Sequence, residues 1–458
     1  MKTANSAGRH AFALVDLGFL IVFVAWIPVF LAKTYVIDDL VAFSADGQRS
    51  YFQILTESHG WAGTAFYRPV IDLLTKFLLQ VSGGDFYWFK LAQMAFFATA
   101  LGMLRGTLRR LQFGPAITLG SLCLVVGSIA VQDAFLWWVN IGMALVLISF
   151  LAALNLLIDV ENDEKTLARG LSYKTMMSLG CISAVAIFSK EVGLIVLFMG
   201  LVAAYRYKAW TLAGGLFLLF AAFVAARIFF IGSVGSPDGF IASGGLGTRF
   251  LESSALREIF DGNKYLYYMH NVVVQTVYIF FKQPINGQFL IHRGLLGFWT
   301  VAYVLSCLVM IVYTLRAKPL LRSYFFLILF AAILLNGTLS FPYPRQRIMI
   351  VGDISFCLLI GMAALAWMQD ASRHSGKSAS QVFRAVVPLA LVVIYGVSLM
   401  TGYRTLSATY SSGLNEMHAF LAGDHTTLFE GAKKVDGIDE RVYSLAASHY
   451  RDMLALLR

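Results

Sequence analysis

The chain has 458 residues, 58% of them apolar and only 14% charged, with a mean hydropathy of +0.71. A soluble domain of this length carries roughly a quarter charged residues, so a soluble enzyme is excluded. The net charge of +10 is no sign of a nucleic-acid partner, because its distribution follows the apolar runs.

Those runs are about 20 residues long, the length that crosses a ~30 Å hydrocarbon core as a helix. The expected spans are 11–32, 88–104, 115–131, 138–158, 175–188, 192–205, 210–231, 294–315, 323–340, 348–368 and 385–401. The fold expected is an all-α polytopic membrane protein with about 11 transmembrane helices. The first run is too long for a signal-peptide core and reads as a retained span. The stretch 271–281, "NVVVQTVYIFF", is too short to cross and reads as re-entrant or interfacial.

With the N-terminus inside, the short inside segments hold 16 Lys and Arg in 63 residues, against 18 in 190 outside. Connections such as "RGTLRRLQFG" and "LRAKPLLR" obey the positive-inside rule. The expected topology has a cytoplasmic N-terminus, external loops at 33–87 and 232–293, and a short external tail at 402–458 after a transmembrane domain of 1–401. The location is an inner or plasma membrane.

In chain order, the first polar feature is "TYVIDDLVAF" (residues 34–43), just past the first span. Asp38 and Asp39 read either as solvated loop acids that cap the helix "LVAFSADGQ" or as a general base with a neighbouring support. "FYRPVIDLLTKFLLQVSGG" follows. Pro69 opens a helix after Arg68, with Val70, Leu73, Leu74, Phe77 and Leu78 on one apolar face, as in an interfacial helix. Arg68 at its start suits either lipid headgroups or a bidentate phosphate contact.

"VQDAFLWWVNIG" reads as a tight external turn, with Trp137 and Trp138 in the aromatic belt or stacked on a sugar. "FSKEVG" places Lys190 and Glu191 at another external turn. Each charge there needs a partner near lipid, so an ion pair and a lipid-borne phosphate both fit. "FPYPRQRIMIVGDISF" sets Arg345 and Arg347 on the outside against the orientation rule, which favours an anionic partner. The Gly/Ser-rich loop 232–247 carries little signal beyond a segment that orders over substrate.

The four cysteines lie in apolar runs without a C-x-x-C and read as small core residues. The eight histidines form no cluster at ligand spacing, so no metal and no cofactor are expected. Span interiors are nearly free of charge, which disfavours a transporter with a mid-membrane site.

The order of these motifs on one membrane side (the acidic pair, "YRP", "DAFLWWVNI", "SKE" and "RQRIMIVGDISF") resembles the GT-C superfamily of integral membrane glycosyltransferases, over about residues 11–370. The resemblance implies inverting transfer of a sugar from a polyprenyl-phosphate donor to a hydroxyl of a glycan, lipid or protein acceptor at the external (periplasmic) face. Such hexosyltransferases serve the cell envelope, lipopolysaccharide included. It further implies Asp38 as base with Asp39 behind it, and Arg68, Lys190, Arg345 and Arg347 as donor-phosphate ligands. Glu191 would be the ion-pair support. The alternative is a flippase or transporter of lipid-linked saccharide without catalysis.

Overall fold

The computed structural model describes residues 2–32, 37–58, 67–83, 85, 87–163, 170–231, 257–258, 260–281, 324–339 and 346–373. Every element among them is helical. In chain order they are α1 (Lys2–Ala32), α2 (Ile37–Gln48), α3 (Tyr51–Thr56), α4 (Pro69–Ser82), α5 (Tyr87–Arg110), α6 (Pro115–Val126), α7 (Ile129–Leu136) and α8 (Ile141–Asn162). Then come α9 (Tyr173–Ser189), α10 (Leu194–Arg206), α11 (Trp210–Ile231), α12 (Lys264–Phe281), α13 (Tyr324–Leu339) and α14 (Ile350–Arg373). Short 3-10 turns at Trp138–Asn140, Glu191–Gly193 and Gln346–Met349 precede α8, α10 and α14.

Among the described residues, three helices are long and apolar enough to cross a membrane: Tyr87–Arg110, Trp138–Asn162 and Trp210–Phe230. A fourth crossing arises if the bent pair Ile117–Val126 and Ala130–Leu136 counts as one. Shorter apolar helices lie at Ala13–Pro28, Tyr173–Ser189, Tyr324–Leu339 and Ile350–Ala366. The expected spans 294–315 and 385–401, the loop 232–247 and the tail 402–458 lie outside the described residues.

Ion pairs mark one end of the bundle. There Arg105 grips Asp16 at 2.5 and 2.6 Å, tying α5 to α1, and Arg110 grips Asp159 at 2.6 and 3.0 Å, tying α5 to α8. Arg206 pairs with Glu161 and lies 4.7 Å from the Tyr324 ring, so α8, α10 and α13 meet at that end too. Forked guanidinium–carboxylate contacts fix orientation as well as distance.

Burial sorts the helices. α8 is the central one: Met143, Ala144, Leu147, Phe150, Leu151 and Leu154 all lie in the core. α11 is the opposite case, with Phe217, Leu218, Ile228 and Phe229 exposed. An apolar helix that leaves such side chains outside needs an apolar surrounding, which lipid supplies. Cys357 is buried as expected, but Cys123 and Cys181 are exposed on their helices.

Three local expectations are corrected. The run 115–131 is not one straight helix: α6 ends at Val126 with Gly127 as its cap, and Ser128 accepts a hydrogen bond from the Val131 N–H to start α7, bent by 60°. Ser128 also donates to the buried Asp353 of α14, which anchors the bend. "VQDAFLWWVNIG" is not a tight turn, because α7 continues to Leu136 and an extended Trp137 links it to the 3-10 turn. The stretch 271–281, expected not to cross, belongs to the 18-residue helix α12, which is not among the helices long and apolar enough to span. Finally, α2 already begins at Ile37, so the aspartate pair lies in its first turn and not before it as a cap for Leu40.

Candidate functional site

The other end of the bundle gathers α2, α4, the 3-10 turns at 138–140 and 191–193, and the last turns of α11. The closeness is written in two glycines. A Cβ on Gly142 would meet the Ser189 carbonyl at 2.9 Å and Ile71 at 3.3 Å, and a Cβ on Gly193 would collide with the Ala186 backbone. Bare glycine lets α8, α4 and the turn after α9 come together there.

That turn presents Lys190 and Glu191. Glu191 faces Arg68 at 3.4 Å and Arg227 of α11 at 2.8 Å. Arg227 is 4% exposed, deep among apolar side chains. Burial by itself would raise the Glu191 carboxyl, but the charges of Arg68, Arg227 and Lys190 outweigh it and hold the group well below the usual carboxylate range. Arg68, Arg227 and Lys190 thus gather around the Glu191 carboxylate. Such an arrangement can take an anion, and the guanidinium forks match phosphate oxygens.

Arg68 reaches this point because it is the residue before α4: Pro69 fixes the first helical position, and Gly83 in the left-handed conformation closes the helix. Ile71, Asp72, Thr75, Lys76, Leu78 and Leu79 of α4 are buried, whereas Phe77 of the expected apolar face is 53% exposed. The inward stripe is polar because α2 and α3 supply partners. Arg49 sits 3.5 Å from both Asp46 and Asp72 and donates to the carbonyls of Gln53 (3.2 Å) and Glu57 (2.7 Å). Lys76 donates to the Gly47 carbonyl at 3.2 Å. Burial, then repulsion from Asp72, push the Asp46 carboxyl well above its ordinary range, against the pull of Arg49 and Lys76.

The aspartate pair divides. Asp39 is 0% exposed and accepts the backbone N–H of Val139 at 2.8 Å, bridging α2 to the 138–140 turn. Asp38 occupies the preceding position in the first turn of α2, and its side chain lies outside the described residues. Trp138 is a correction to the sugar-stacking expectation. It is 0% exposed, with Phe89 edge-on at 4.7 Å and Phe43 at 6.4 Å, and its indole N–H donates to Thr75 at 2.9 Å. Its faces are filled by neighbours, so it is packing that unites α2, α4 and α5. Trp137 is half-buried and packs against the same core.

Arg347 stands in the 3-10 turn Gln346–Met349, which leads into α14 and packs near α7, and its side chain lies outside the described residues, as does all of Arg345. The structure therefore brings Arg68, Lys190 and Glu191 together with Arg227 near the end of α11, a residue that no sequence motif singled out. Its partner lies 36 positions away, and no local pattern announces it. The Asp46–Arg49–Asp72–Lys76 cluster was also missed. The signal was present in part, since Asp72, Thr75 and Lys76 at helical spacing form a polar stripe on α4. No protein-family model matches the chain, and comparison with curated proteins and with solved structures finds no similar protein.

Proposed function

We propose that the chain transfers a sugar from a polyprenyl-phosphate carrier to an acceptor hydroxyl at the external membrane face, with inversion at the anomeric carbon. The observation that carries the reading is the gathering of cations at the 190–191 turn: Arg68, Arg227 and Lys190 around Glu191. It lies at the same end of the bundle as the first turn of α2, where the two aspartates stand.

In this reading the donor phosphate sits against Arg68, Arg227 and Lys190, with Arg345 and Arg347 as further ligands, and the lipid tail lies along the exposed apolar face of α11. The acceptor oxygen attacks the anomeric carbon and its proton passes to Asp38. The bond from that carbon to the phosphate oxygen breaks, and the electron pair leaves on the phosphate. Neutralising that oxygen and holding the reactants in line supply most of the acceleration. The positive-inside count puts the N-terminus in the cytoplasm and this end of the bundle outside.

The transport reading retains one observation in its favour: Lys90 and Asp353 are buried charged residues on membrane-type helices, and such groups often mark a path. One assay separates the two. Protein purified in detergent and given a polyprenyl-phosphate sugar with a hydroxyl acceptor should release free polyprenyl phosphate, and Asp38→Asn should abolish release without lowering the unfolding temperature. Movement of intact donor across a vesicle with no cleavage would replace transfer by transport.

A further inference from the structure

We infer that Ser128 and Asp353 are positioning residues for the candidate site. Their hydrogen bond sets the bend between α6 and α7, and α7 carries the 138–140 turn to the first turn of α2. For its activity arm the inference rests on the transfer reading above.

A helix that breaks inside an apolar run frees backbone groups that lipid cannot satisfy. Here the break supplies its own partners. Gly127 and Ser128 donate their N–H groups to the Cys123 and Val125 carbonyls at 3.0 and 3.1 Å, and the Gln132 side chain donates to the Val126 carbonyl at 3.2 Å. The Ser128 hydroxyl accepts the Val131 N–H at 3.4 Å, which starts α7, and donates its one proton to Asp353 of α14. Without that acceptor a serine hydroxyl turns to the carbonyl four residues back, as it does inside a helix and not at its start. Ser128 and Asp353 are 2% and 0% exposed, so water does not compete for the bond.

Both ends of this connection are anchored. Asp353 follows Gly352, whose N–H donates to the Asn336 side chain of α13 at 2.7 Å, and that side chain donates to the Ile348 carbonyl at 2.8 Å. At the far end of α7 the Asp133 carbonyl accepts both the Trp137 N–H and the Asn140 side chain, each at 3.4 Å. The 138–140 turn then reaches two helices of the site. The Val139 N–H donates to Asp39 of α2 at 2.8 Å, and the Trp138 indole donates to Thr75 of α4 at 2.9 Å.

α7 has eight residues, which makes it a lever about 12 Å long. A change of about 10° in the bend would move its far end by about 2 Å, more than the Val139–Asp39 hydrogen bond tolerates. Misplacing a reacting group by about 1 Å costs on the order of a hundredfold in rate.

The test uses the full chain in detergent with Ser128→Ala, Asp353→Leu and Asp353→Asn. Ser183→Ala is the control, because it removes a buried hydroxyl on α9 that meets no partner. One readout is amide hydrogen exchange across residues 137–141, which needs no activity, and the other is kcat and KM for a polyprenyl-phosphate sugar. Ser128→Ala and Asp353→Leu should speed that exchange about tenfold and cut kcat by about 10- to 100-fold. Donor KM should stay within about twofold, since the cations that meet phosphate are not on α7. Asp353→Asn still accepts the hydroxyl proton and should stay within about threefold on every readout. Ser183→Ala should leave the 137–141 exchange unchanged. A folded Ser128→Ala protein with unchanged exchange at 137–141 would overturn the lever, as would an equal loss of protection throughout the chain. Faster exchange at undiminished kcat would overturn the positioning role, and so would an Asp353→Asn protein as impaired as Asp353→Leu. If the unsubstituted protein cleaves no donor, the transfer reading falls instead, and the exchange arm alone judges the lever.

Discussion

Replacing Glu191 by Gln tests the centre of the candidate site most directly. The substitution keeps the shape and removes the carboxylate charge that Arg68 and Arg227 meet at 3.4 and 2.8 Å. Arg227 then remains buried with no opposite charge at that position, beside Arg68 and Lys190. Breaking a buried ion pair from one side costs about 3–5 kcal/mol, and the 18% exposure of the Glu191 side chain puts this case near 3. In a chain of this size that is a fall in unfolding temperature on the order of 5 °C.

The pH dependence follows from the same charges. The folded Glu191 carboxyl lies below its ordinary value, so its contribution is fully present above about pH 4.3 and is lost as the pH falls through the folded value. Thermal melts followed by intrinsic tryptophan fluorescence from pH 3 to 8, in detergent, would show the Gln variant lower throughout the neutral range. The two proteins would then converge toward the acid end. Because the substitution removes a carboxylate and leaves the three cations in place, binding of polyprenyl phosphate should not weaken. Equal melting temperatures at pH 7 would refute the idea that Glu191 holds this cluster together.

Arg227→Met removes one cation and should weaken polyprenyl-phosphate binding by about tenfold, near 1.4 kcal/mol, measured as the loss of ligand-induced thermal stabilisation. Unchanged stabilisation would mean that the phosphate binds elsewhere. For Asp46, whose folded carboxyl is raised, the proton-bound form is favoured in the fold, so stability is fullest below about pH 3.9 and falls as the pH rises through the folded value. Asp46→Asn should flatten that decline in melts run from pH 4 to 9, and a slope equal to the unsubstituted protein's would rule it out. Gly193→Ala drives a Cβ into the Ala186 backbone and should cost about 3 kcal/mol or more, read as a fall in unfolding temperature and in folded yield; a neutral effect would contradict the close approach. Trp138→Phe deletes the hydrogen bond to Thr75 and should lower stability by about 1 kcal/mol, a loss that vanishes when Thr75→Val is introduced with it.

Local composition made the helical nature and the positions of α5, α8, α9, α10 and α11 legible, because an apolar run of the right length has few other options. The start of α4 was equally plain from Arg68–Pro69, since proline fits the first helical position. The break between α6 and α7 was not legible. Its signal is Gly127–Ser128, and whether a serine in an apolar run caps a new helix depends on what awaits it, here Asp353 on α14, 225 residues away. The polar stripe that α4 turns inward was not read, because Asp72 and Lys76 gain their meaning only from Arg49 and Gly47 on the other side of the contact.

The sequence by itself determined that this is a helical chain with membrane-type segments, which polar groups accompany them, and, through the count of basic residues, an expected orientation. Those properties depend on windows of about 20 residues, where composition decides whether backbone groups can be satisfied in lipid. Only the tertiary structure decided which charges meet. Arg227 finds Glu191, Asp46 and Asp72 share Arg49, and Asp39 turns inward to Val139 across 100 positions. Pairing energy depends on distance and on the exclusion of water, and neither exists until the helices have packed.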